Sequence, residues 1–107
     1  MYQGESRRVR PAPVLVATDV RERLRRLDNW ESLGGCISKV VKLATFEEAI
    51  ALINRVAELA EAANHHPDIT INYNQVTLEL TTYESGGVTH RDFDLAKEID
   101  VVLEDSD

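Results

Sequence analysis

The stretch from Thr45 to Pro67 constrains the fold most, because it carries a helix with both ends marked. Thr45 stands three residues before Glu48, the spacing of a capping box, in which the two side chains satisfy free amide hydrogens at a helix start. Behind them apolar residues recur at helical spacing in two stripes. One is Phe46, Ala49/Ile50, Ile53, Ala57 and Ala60; the other is Leu52, Val56, Leu59 and Ala63. Together they form a sector wider than one sheet face needs, which points to a further partner on the other side of the helix. Pro67 disfavours the α conformation at His66, so the helix has to stop there, with Asn64 as its C-cap.

On either side the pattern is shorter and mostly of period two. Asp19 followed by Glu22 predicts the start of a first helix, with Val20, Leu24 and Leu27 on one side, ending near Asp28-Asn29. Residues 30–33 and 36–43 are read as strands joined by Gly34-Gly35, a pair able to supply the positive φ angles of a tight hairpin. A second hairpin is expected over 68–83, turning near Asn74. In its return strand Val76, Leu78 and Leu80 face one way, and Thr77, Glu79, Thr81 and Tyr83 the other. The loop Ser85-Gly86-Gly87 then leads to Thr89, the cap of a last helix carrying Phe93, Ala96, Ile99 and Leu103. The order α-β-β-α-β-β-α predicts an α+β fold: a four-stranded antiparallel sheet with three helices on one face. Residues 1–17, punctuated by Pro11 and Pro13, are read as a flexible arm, and 18–107 as one domain.

Composition narrows the function classes. A chain of 107 residues with 43% apolar residues suits one globular domain with a modest core, to which self-association would add stability. No apolar run approaches the roughly 20 residues of a membrane span, and the start has no apolar signal-peptide core. Cys36 is the sole cysteine, so no intrachain disulfide can form, and a reducing cytoplasm is the expected location. A formal net charge of −7 argues against a nucleic-acid footprint. The basic cluster Arg7, Arg8 and Arg10, like the acidic end at 104–107, is read as a solvated tail.

Chemistry concentrates in Asn64-His65-His66-Pro67. The histidines leave a helix C-terminus in extended geometry with their rings directed apart, and such a terminus favours protonated imidazole, useful to a general acid near neutrality. The pair alone equally suits two surface histidines at a helix stop. Glu61, one turn before His65, is placed to orient it. Asp92 is read as the partner of Thr89 in a capping box rather than as a catalytic carboxylate, and His90 as an exposed first-turn residue. Adjacent histidines rarely share one ion and no HxxxH or CxxC spacing exists, so no metal site is expected. Cys36 lies in an apolar strand, where a cysteine usually packs, and Gly86-Gly87 lacks the lysine of a phosphate-binding loop.

The run Asn54-Arg55-Val56-Ala57-Glu58-Leu59-Ala60-Glu61-Ala62-Ala63-Asn64-His65-His66-Pro67-Asp68 resembles the pterin-4a-carbinolamine dehydratases. So do Tyr73-Asn74-x-Val76, Leu80-Thr81-Thr82, Gly86-Gly87, Thr89 and Asp92-Phe93-x-Leu95-Ala96; the likeness spans residues 19–102. It implies dehydration of 4a-hydroxytetrahydropterin to quinonoid dihydropterin, with no metal or organic cofactor. One group protonates the departing hydroxyl and another accepts a ring N–H proton. By resemblance His65 is the first acid/base group, His66 binds the pterin and shares the proton work, and Glu61 supports from the helix. Pro67, Thr82, Glu84 and Ser85 would line the pterin, and the long helix would sit at the centre of a homodimer or homotetramer. The family usually has a third histidine where this chain has Tyr83, a hydrogen-bond donor whose ordinary pKa of about 10 makes it a poor proton exchanger. Members of the family also serve as a dimerisation cofactor of a transcription factor, and relatives assist assembly of a carbon-fixing enzyme. A non-catalytic binding or assembly module that kept the scaffold is therefore the second reading, and a purely structural domain the third.

Overall fold

In a computed structural model that describes residues 11–105, Val76, Leu78 and Leu80 lie on one face of strand β4 (Gln75–Leu80) and are fully buried, as their alternation predicts. The arginine cluster at 7–10 and residues 106–107 of the acidic end lie outside the described residues, while residues 104–105 of that end belong to the last helix. The elements before β4 are α1 (Ala17–Leu24), β1 (Glu31–Ser32), β2 (Ile37–Lys42), α2 (Phe46–Ala63) and β3 (Asp68–Asn72); α3 (His90–Asp105) follows it. The order is the expected α-β-β-α-β-β-α, and the sheet runs β1-β2-β4-β3 with every neighbour antiparallel. Helix α2 carries the chain from β2 to β3, and β4 fills the slot between them. The end of α2 is thereby set beside the start of β3, where the histidines lie.

Register decides what is buried. Ile37 pairs with Leu80 and Val41 with Val76, while on the other side Ile69 pairs with Leu78 and Ile71 with Val76. Those side chains pack with Ala49, Leu52 and Val56 of α2, Phe93, Leu95, Ala96 and Ile99 of α3, and Val20 of α1. All three helices among the described residues cover this one face. The broad apolar sector of α2 is divided: Ala49, Leu52, Val56 and Ala60 are buried, while Phe46, Ile50 and Ala57 stay exposed on the single chain. Lys39 interrupts the apolar face, opposite Leu78. Its ammonium meets Asp100 Oδ1 at 2.9 Å and donates to the Asp28 carbonyl at 2.8 Å, and Trp30 Nε1–H donates to the same Asp100 oxygen at 2.9 Å. Among the described residues no helix is long and apolar enough to cross a membrane.

Several boundaries differ from expectation, each for a tertiary reason. Helix α1 begins at Ala17 behind Val16, which makes no side-chain cap bond, and Asp19 falls in its first turn instead of capping it. The Leu15 amide donates to the Val88 carbonyl at 2.8 Å, and this contact sets where the chain turns into the helix. Of the glycine pair only Gly34 takes a positive φ, +97°. In the second hairpin the left-handed residue is Tyr73 (φ 55°), while Asn74 bridges to the end of β2, its side-chain amide donating to the Leu43 carbonyl at 2.8 Å. Strand β4 stops at Leu80, so Tyr83 is not on it. Thr82 forms an isolated bridge with Gly87, and the residues between them make a turn that needs the positive φ of Gly86, +85°.

Candidate functional site

The end of α2 is built by one residue. Asn64 takes the left-handed conformation (φ 52°), the His65 amide donates back to the Ala60 carbonyl at 3.0 Å, and the Asn64 amide donates to Glu61 at 3.2 Å. This is the Schellman arrangement. Its reversal sends His65 inward and His66 outward. Asparagine tolerates that conformation and glycine does so freely, whereas a Cβ without a local hydrogen bond is strained there. We therefore expect Asn64→Ala to lower stability by about 1 kcal/mol and Asn64→Gly to leave it unchanged, as read by thermal unfolding.

His65 is 6% exposed, and its Nε2 lies 2.5 Å from Asp92 Oδ1. Asp92 stands in the first turn of α3 and is fully buried. Its Oδ2 accepts from the Thr89 amide and from the Thr82 hydroxyl, both at 2.9 Å. The Thr82 and Thr89 hydroxyl oxygens are 2.7 Å apart, and the Arg91 amide donates to the Thr89 oxygen at 3.1 Å. The capping role expected for Asp92 is present, and the same carboxylate also holds a histidine 27 positions away.

Glu61 does not partner His65. Once Asn64 reverses the chain, His65 has left the helical face, and it is His66 that meets Glu61, Nε2 to Oε2 at 2.7 Å. His66 is 56% exposed. Around the two imidazoles is a cavity of about 310 Å³. Pro67, Tyr83 and Glu84 line it with the histidines, as do Thr81 and Asp68, which the sequence reading had not assigned to a site. Thr82 and Ser85 do not. Thr82 is fully buried beneath the cavity against Asp92, and the Ser85 hydroxyl turns away to the Ala12 carbonyl, because β4 ends before them and the chain coils into a turn. Arg91 braces the rim, donating from Nη2 to the Asn64 carbonyl at 2.7 Å, with Nη1 3.9 Å from Glu84.

Tyr83 is 70% exposed, and its hydroxyl donates to Asp68 Oδ2 at 2.8 Å. That hydrogen bond and the carboxylate charge push the phenol above its ordinary range, so its proton is held rather than offered. Burial, then Glu79, Asp68 and Asp92, push the Cys36 thiol up as well, the opposite of what a nucleophile needs. His90 is exposed on the first turn of α3, paired with Asp94 at 3.1 Å. Among the described residues no group of three or more His, Cys, Asp or Glu side chains is placed to hold a metal ion. The arrangement gathers two imidazoles, each against a carboxylate, at one opening large enough for a small flat molecule.

The family model described as pterin 4 alpha carbinolamine dehydratase matches residues 13–102. A protein of Roseiflexus sp. (strain RS-1), provisionally named a pterin-4-alpha-carbinolamine dehydratase, is 49% identical over 85 residues, 79% of this chain and 91% of that protein. A similarly named protein of Thermomicrobium roseum is 51% identical over 76 residues, 71% of this chain and 82% of its own length. Among solved structures, a transcriptional coactivator/pterin dehydratase from Brucella melitensis superposes with a TM-score of 0.80 at 30% identity, covering 83% of this chain and 97% of that one. A pterin dehydratase-like protein described as a RuBisCO assembly factor of the alpha-carboxysome shares the fold, with a TM-score of 0.59 at 19% identity over 69% of this chain and 88% of that one.

Proposed function

The chain belongs to the pterin 4 alpha carbinolamine dehydratase family, and from that membership and the geometry at His65 and His66 we propose that it dehydrates 4a-hydroxytetrahydropterin to quinonoid dihydropterin. The observation that carries the reading is the meeting of both imidazoles at one cavity, each with its own carboxylate. In the reaction the C4a–O bond breaks as a proton is delivered to the departing hydroxyl, which leaves as water. The adjacent ring nitrogen gives up its proton, and its electron pair forms the new double bond to C4a. One proton enters and one leaves, so a pair of histidines serves without any other reagent. His65 and His66 exchange those protons, and Pro67 and Glu84 border the pterin. Glu61 holds the ring of His66, and Tyr83 offers an oxygen lone pair, since its hydrogen goes to Asp68.

Purified protein is expected to accelerate quinonoid dihydropterin formation, and replacing His65 and His66 together with alanine to return the progress curve to the uncatalysed one. Coincident curves for the native and doubly substituted chains would falsify the reading. The exposed stripe Phe46, Ile50 and Ala57 supports a homodimer or homotetramer packed through α2, and the sole cysteine, which allows no intrachain disulfide, suits the cytoplasm as its location.

Tyr83 favours a second reading. With its hydrogen held by Asp68, it cannot stand in for a third histidine as a proton donor, which suits a module that kept the scaffold for binding or assembly. The name of the Brucella relative pairs transcriptional coactivation with pterin dehydration. Tyr83→His separates the readings: a several-fold gain in turnover over a low native rate shows an impaired enzyme. No turnover in either chain, with co-purification of one specific protein, decides for the module.

A further inference from the structure

The turn that carries Tyr83 and Glu84 to the cavity is gripped from behind by the segment that precedes α1. Tyr83 is 70% exposed and the Glu84 side chain 65%, so packing around them fixes neither, and the backbone of the turn sets where they stand. Within the turn the Ser85 and Gly86 amides donate to the Thr82 carbonyl, each at 3.0 Å, and the Thr82 amide donates to the Gly87 carbonyl at 3.0 Å. Those bonds shape the turn without tying it to the rest of the molecule. On the cavity side the ties are the Tyr83–Asp68 hydrogen bond and the long approach of Arg91 to Glu84. On the far side there are three. The Ser85 hydroxyl donates to the Ala12 carbonyl, and the Leu15 amide donates to the Val88 carbonyl at 2.8 Å. Val14 lies over the buried Gly87 so closely that a Cβ there would come within 3.0 Å of its Cγ1. Leu15 packs against the hydrophobic core, which anchors the segment just before α1. Residues 83 and 84 thus face the cavity while 85, 87 and 88 hold the segment 12–15.

We infer that residues 12–15 are a strap that sets the position of the Tyr83-Glu84 turn, with Ala12, Val14 and Leu15 as positioning residues that do not line the cavity themselves. His65 and His66 are held by other groups, Asn64, Asp92 and Glu61. Loosening the strap therefore leaves proton exchange in place and weakens the grip of the rim on the pterin. That consequence rests on the dehydratase reading; the strap itself does not. Gly87 is the point at which to lift it. Its φ lies outside the left-handed region, so alanine can adopt the backbone, and the three nearest atoms a Cβ would meet all belong to Val14.

Amide hydrogen exchange followed by NMR reads the order of the turn without any substrate. In Gly87→Ala the Ser85 and Gly86 amides should exchange at least about tenfold faster than in the native chain, while amides of α2 and β4 keep their native rates. Adding Val14→Ala to the same chain makes room for the new methyl and should bring exchange back toward native. Ser85→Ala deletes the hydroxyl given to Ala12 and adds no bulk, so it should free the same two amides by a second route. In turnover, both single variants should raise KM several-fold with kcat within about twofold of native. General damage would instead lower kcat, as a smaller active fraction. Native exchange at Ser85 and Gly86 in both variants overturns the strap. Faster exchange with a native KM overturns its role in positioning the site. Faster exchange in a chain with no dehydratase turnover upholds the strap while removing the dehydratase reading.

Discussion

Replacing Asp100 with alanine is expected to lower the unfolding free energy by about 3 kcal/mol, seen as a lower denaturant midpoint at an unchanged slope. The reason lies in Lys39, which the strand alternation of β2 turns toward the core, opposite Leu78. Its side chain is 9% exposed and that of Asp100 16%, so water screens the pair little. Asp100 Oδ1 takes both the ammonium and the Trp30 indole N–H, each at 2.9 Å. Deleting the carboxylate leaves a buried cation with the Asp28 carbonyl, 2.8 Å away, and the face of the Trp30 ring, 5.9 Å away, but no counter-charge, and an indole N–H that has lost its acceptor. An unpaired buried charge costs far more than the pair contributes. Replacing both partners, as Lys39→Met with Asp100→Leu, should accordingly cost much less than Asp100→Ala alone, because no buried charge is left unpaired, although the Trp30 indole N–H loses its acceptor in both chains. A single Asp100→Ala variant within about half a kcal/mol of native would mean that water reaches Lys39 in its place.

The elements were legible because their signals are local. The capping box at Thr45, the Pro67 stop and the alternation of Val76, Leu78 and Leu80 each act within a few residues, and the topology followed from them. What was not legible was decided across the sheet. Lys39 sits in an otherwise β-favouring run, and nothing nearby in sequence shows that Asp100 would be its partner, 61 positions on. Asp19 looked like a helix start, but docking of Leu15 on Val88 put the start earlier. The site shows the same division. His65, His66, Pro67, Tyr83 and Glu84 could be placed at one opening from sequence and resemblance, and they are found together. Thr82 could not be told from Thr81, because strand parity fails where β4 gives way to the turn. Glu61 was assigned to His65 by helical spacing, which ceases to apply beyond the left-handed residue Asn64. Asp92 looked like a cap and is one. The spacing of a capping box accounts for only one of its oxygens, and the other was free to find a histidine.

Asp92→Asn should therefore cost activity far more than stability: a fall in kcat of about a hundredfold or more, against a loss of about 1 kcal/mol or less in unfolding free energy. Asparagine keeps the shape of aspartate but exchanges one acceptor for a donor. The Thr89 amide and the Thr82 hydroxyl both donate at the Oδ2 position, so the amide oxygen has to sit there and the cap survives. The NH2 group is then forced toward His65 Nε2, where a proton already stands. Two donors cannot face each other at 2.5 Å, so the imidazole gives up its Nε2 hydrogen and carries one on Nδ1 instead. The proton pattern of His65 is inverted although every heavy atom is nearly in place, and on the dehydratase reading its proton work is lost. Turnover and thermal unfolding measured on the same preparation separate this from general damage. Asp92→Ala should lose both, since it also strips the cap and leaves Thr82 without its acceptor. An Asp92→Asn chain that turns over at the native rate would show that the proton work of His65 does not depend on the Asp92 carboxylate.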